Sequence, residues 1–97
     1  MATSTISLLD KLFNTYKTLT STDNLNDLPR SITRLYYLQE YANRPINCPP
    51  DANYAHLITL YGYQIVLDNT GPAFYLRRHQ SGGWTKWSKF EGTKLNV

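Results

Sequence analysis

From Ala55 to Phe90 the chain alternates short apolar, β-prone runs with turns that carry glycine, without any repeat of sequence. Ala55–Tyr61 and Tyr63–Asp68 are separated by Gly62 alone. Ala73–His79 follows the turn Asp68-Asn69-Thr70-Gly71-Pro72, and Trp84–Phe90 follows Gln80-Ser81-Gly82-Gly83. Links this short join neighbouring strands that run in opposite directions. The stretch is therefore expected to be an antiparallel meander. An earlier run, Thr33–Tyr41, puts Leu35, Tyr37, Gln39 and Tyr41 on one face and Tyr36 and Leu38 on the other, and predicts a further strand. Between it and the meander lies a loop rich in Pro and Asn, residues 43–51, with no regular pattern.

Ahead of the strands the periodicity changes. Ile6, Leu9, Phe13, Tyr16 and Thr20 step by three, four, three and four residues, while Leu12 and Leu19 widen the stripe and Asp10, Lys11, Asn14, Lys17 and Thr18 face away. This predicts an amphipathic helix from Ser4 to about Thr20. So short a helix is marginal alone in water, so its apolar face must pack on something. Two destinations are open: the chain's own domain, or a bundle of identical helices with Ile6, Leu9, Leu12, Phe13 and Tyr16 as the oligomerisation seam. The 3-4 spacing favours the bundle. The polar residues 21–27 read as a linker, and Pro29 turns Leu28 toward an extended conformation. The expected organisation is a helical stalk or attachment segment over 1–22 and a β-domain over 23–97, an α+β chain that is mainly β.

Several function classes find no support. The net charge of +3 is mild and the basic residues are scattered, whereas nucleic-acid binders concentrate them in a stripe. No apolar run approaches the ~20 residues that span a bilayer, and the N-terminus lacks the pattern of a signal peptide. A soluble protein made in a reducing cytoplasm is expected. Cys48 is the single cysteine and reads as a small buried residue rather than a nucleophile. His56 and His79 have no metal-ligand spacing, the carboxylates are spread singly, and Gly82-Gly83 leads into a strand rather than a helix. No catalytic site, metal or cofactor is expected.

What remains is aromatic. With 13% aromatic residues and eight tyrosines, the chain is expected to carry an adhesive surface. Tyr75, Arg77, Trp84 and Trp87 are the ligand-binding candidates, because a flat ring can stack on the apolar face of a sugar. Core packing is the competing role for each. On a regular strand Arg77 and Arg78 point to opposite faces, and so do Trp84 and Trp87.

Taken in order, the C-terminal two-thirds resemble the pyocin-knob type of domain of bacteriophage tail fibres and phage-like bacteriocins. The resemblance rests on Leu25-Asn26-Asp27-Leu28, Thr33-Arg34-Leu35-Tyr36-Tyr37 and Asn43-Arg44-Pro45. It continues through His56-Leu57-Ile58-Thr59-Leu60, Tyr63-Gln64-Ile65-Val66-Leu67, Tyr75-Leu76-Arg77-Arg78 and Gly83-Trp84-Thr85-Lys86-Trp87. It implies a structural virion appendage, a small head or tail fibre or decoration protein. Such a protein is made in the bacterial host cytoplasm, is typically a homotrimer, and is held to a capsid or tail protein by its N-terminal segment. Host-surface glycan is the implied ligand. The alternative from the residues is a small intracellular phage protein that binds and inhibits a host protein or nucleic-acid enzyme.

Overall fold

The computed structural model describes residues 16–96, the side chain of Tyr41 excepted. The described chain is mainly β. Seven strands form one mixed sheet: β1 Lys17–Leu19, β2 Arg34–Leu38, β3 Ala55–Leu60, β4 Tyr63–Asp68, β5 Ala73–Gln80, β6 Gly83–Trp84 and β7 Ser88–Glu91. They lie side by side in sequence order from β1 to β6, and β7 pairs with the other end of the β5 edge that β6 occupies. From β2 onward every strand pairing is antiparallel, and between β3 and β6 the glycine-bearing turns account for it. The β3–β4 link is two residues, Tyr61-Gly62, and Gly62 takes a φ of +74°, a conformation that disfavours any residue with a Cβ.

The N-terminal helix is corrected where it can be seen. Lys17–Leu19 is extended and pairs parallel with Tyr36–Leu38, so the last turn of the expected helix is strand instead. Leu19, read as the flank of a helical stripe, is fully buried in the sheet's core. Cross-strand burial of one leucine, about 1.5–3 kcal/mol, outweighs a helix propensity worth tenths of a kcal/mol per residue. The remainder of that helix, with Ile6, Leu9, Leu12 and Phe13, lies outside the described residues. The sheet thus includes residues upstream of the division at 22.

The strands present two faces. Along the inner one the register aligns Tyr36, Leu57, Val66 and Tyr75 in one row, Leu19, Leu38 and Ala55 in a second, and Thr59, Gln64 and Arg77 in a third. All are buried. Two irregular segments, residues 20–29 and 44–54, close over this face with Leu25, Pro45, Pro49 and Ala52 buried against it. Residues 21–27 are therefore a lid rather than a linker. Its 3-10 turn Leu25–Asp27 is capped by Asn24, whose Oδ1 accepts from the Asn26 N–H and from Asn47 Nδ2. The lid segments are stitched together by Leu25 N–H to Ile46 O (3.0 Å) and Ile46 N–H to Asp23 O (2.8 Å).

Candidate functional site

The sequence candidates on the inner face converge at the β5–β6 end. Arg77 projects inward from β5 and is only 5% exposed, while Arg78 points outward and is exposed, as alternation requires. A buried guanidinium needs acceptors or π faces around it. Gln64, opposite it on β4, accepts from Arg77 Nε (2.9 Å) and Nη2 (2.7 Å) through the single atom Oε1. The other end of the same amide donates to the Leu25 carbonyl (2.7 Å) and so ties the lid to the sheet. The guanidinium carbon lies 4.6 Å from the Trp84 ring centroid and 4.7 Å from that of Trp87, within cation–π range of both. Burial pushes the Arg77 pKa down to about 10, and no carboxylate opposes that shift. The residue stays charged at neutral pH.

The two tryptophans do not fall on opposite faces. The last strand is interrupted: after Gly83 (φ +117°) and Trp84, residues 85–87 leave the ladder before β7 begins at Ser88. Thr85 closes β6 by donating its N–H to the Arg78 carbonyl (2.9 Å) and accepting from the Arg78 N–H through Oγ1 (3.1 Å). The break lets Trp87 pack against the core and donate its indole N–H to the Asn47 carbonyl (2.9 Å). Both indoles then reach one cation. Tyr75, the fourth candidate, is 3% exposed and belongs to the core, its hydroxyl buried with no hydrogen bond that meets normal geometry among the described residues.

Around this stack runs an open groove whose walls include Trp84, Lys86, Asn26, Asn47 and Pro50. None of the described residues lining it is acidic. It offers a half-buried indole, side-chain amides and an exposed ammonium: groups that stack, donate and attract negative charge. Its one thiol is not activated. Cys48 also lines it, and burial pushes the thiol up to about 11 against the opposing pull of Arg44 and Arg77. A thiol held so far above its ordinary value is almost wholly protonated at pH 8. Alkylation of Cys48 by iodoacetamide is therefore expected to be at least about tenfold slower in the native protein than in urea-unfolded protein at pH 8. Equal rates, followed by mass spectrometry, would show that the thiol is accessible and ionised.

The histidines sit apart from each other. His56 meets Asn69 (3.1 Å to Nδ2) and the edge of Tyr37, while His79 contacts Arg30 (2.8 Å) and Trp84. Among the described residues no group of His, Cys, Asp or Glu could hold a metal, and no helix is long and apolar enough to cross a membrane. Gln64, central to the stack, was not singled out by sequence reasoning. Its signal was a polar residue two positions from Val66 on the same face of an apolar strand. No family model matches the chain, and no curated protein or solved structure matches it significantly.

Proposed function

We propose that this chain is a non-enzymatic structural appendage of a phage or phage-like particle, and that its groove holds surface glycan weakly. The observation that carries the binding role is the groove itself, in which a half-buried indole, stacked with a cation, is bordered by amides and an ammonium with no carboxylate among the described lining residues. Such a lining suits sugars that carry negative charge, since a carboxylate or sulfate would find Lys86 unopposed. The ordered resemblance to knob domains supports the particle location and the homotrimeric state. One shallow site gives low affinity, and many copies on a particle raise it by multivalency.

The test is saturation-transfer NMR on the full chain with neutral and uronic-acid-containing oligosaccharides. Acidic oligosaccharides are expected to bind, and Trp84→Ala to weaken binding at least about tenfold, or about 1.4 kcal/mol, while the domain stays folded and its melting temperature falls by only about 4–8 °C. A folded wild-type protein with no transfer to any oligosaccharide would remove the adhesive role. Light scattering that gives a monomer would remove the trimeric one.

A further inference from the structure

The break between β6 and β7 also opens the sheet edge beside β5. On the outer side of that opening lies a second cleft, whose walls include Tyr63, Arg78, Gln80, Lys86 and Ser88. Arg77, Thr85 and Lys86 line both this cleft and the Trp84 groove on the inner side. The two clefts therefore meet at the break, one on each face of the sheet. The register accounts for the second lining. Tyr63 on β4 lies opposite Arg78 on β5, and the Arg78 backbone is tied to Thr85 by the hydrogen bonds that close β6. Cross-strand partners share a face, so an exposed guanidinium stands beside a ring that is 41% exposed.

Charge is divided along the strand axis. No described residue lining either cleft is acidic. The described ion pairs lie elsewhere. Lys89 meets Glu91 (2.8 Å) and Asp51 (3.6 Å) at the end of the sheet that carries the turn over residues 69–72, and Lys17 meets Asp23 (3.8 Å) beside β1. Basic residues that look scattered along the sequence are thus gathered by the fold, with Arg77, Arg78 and Lys86 around one end of β5.

We propose that the two clefts form one extended site for a polysaccharide with acidic groups on successive units, which crosses the sheet edge at Lys86. This inference rests on the glycan reading of the Trp84 groove and adds the length of chain that the protein holds. A single acidic sugar would engage one cleft and leave the other cations to water. A polymer meets Lys86 between the clefts and Arg78 beyond it, with the Tyr63 ring as a second stacking platform. The Arg78 guanidinium can grip a carboxylate through two parallel hydrogen bonds. Exposed contacts of this kind are weak singly, so affinity comes from their number along one chain.

NMR titration of the full chain with a disaccharide and an octasaccharide of galacturonic acid tests it. A longer chain has more registers on a short site, so the deciding arm is Arg78→Gln. That variant is expected to weaken octasaccharide binding about three- to fivefold and to leave disaccharide binding within about twofold. Lys94→Gln, the same loss of charge at the far end of the sheet, should change neither. If Arg78→Gln weakens both lengths alike, or neither, the extended site is overturned while binding in the Trp84 groove stands. An equal loss from Lys94→Gln would overturn it too, because net charge and not a site would then set the affinity. Failure of both saccharides to bind would remove the glycan reading and this inference together. An oligonucleotide of matching charge that binds as tightly as the octasaccharide would overturn the acidic-sugar assignment.

Discussion

Gln64→Leu is expected to destabilise the domain by about 3–5 kcal/mol in urea denaturation, more than its modest change in volume would suggest. The amide does two jobs that leucine cannot. It supplies the one hydrogen-bond acceptor found for the buried Arg77 guanidinium among the described residues, and it donates to the Leu25 carbonyl under the lid. Removing it leaves a buried charge to rely on two indoles alone and orphans a backbone carbonyl. The penalty of an unpaired buried ion, rather than lost packing, dominates. A second substitution checks that reasoning: Arg77→Leu in the Gln64→Leu background should recover part of the loss, because the charge is gone as well. A loss under about 1 kcal/mol for Gln64→Leu alone would mean that Arg77 is solvated.

Trp87→Ala should cost about 3–5 kcal/mol, and Trp84→Ala about 1 kcal/mol. The difference follows from their surroundings rather than their chemistry. Trp87 packs on the core and anchors the second lid segment through its bond to the Asn47 carbonyl, so its removal opens a cavity and frees the lid. Trp84 lines the groove and contributes to stability chiefly through Arg77 and the edge of His79. Thermal melts of the two variants side by side decide it. Equal losses would show that both indoles are structural, and the groove would then lose its stacking platform.

Much of the sheet was legible because its signals are local. Tyr63–Asp68 is the strand the sequence indicated, residue for residue, since an alternating apolar run between Gly62 and Asn69 has one reading. Lys17–Leu19 was not legible. Three residues carry no periodicity of their own, and they inherit the 3-4 pattern of the residues before them until pairing with β2 decides otherwise. The lid was hidden by composition: Leu25 is the single large apolar side chain among residues 21–27, yet it is fully buried. Of the candidate site, Arg77 and the tryptophans were found by residue type. Their convergence was not, because alternation holds only while a strand stays in the ladder, and residues 85–87 step out of it.

That interruption has a bearing on how the protein behaves when crowded. A long, unbroken edge strand exposes a row of free N–H and C=O groups and invites a second molecule to add itself sideways, then a third, without limit. Here neither edge is of that kind. One is three residues long, and the other is split into pieces of two and four residues with a phase break between them. Sideways addition would find no continuous template, so fibrillar stacking through the sheet edges is disfavoured.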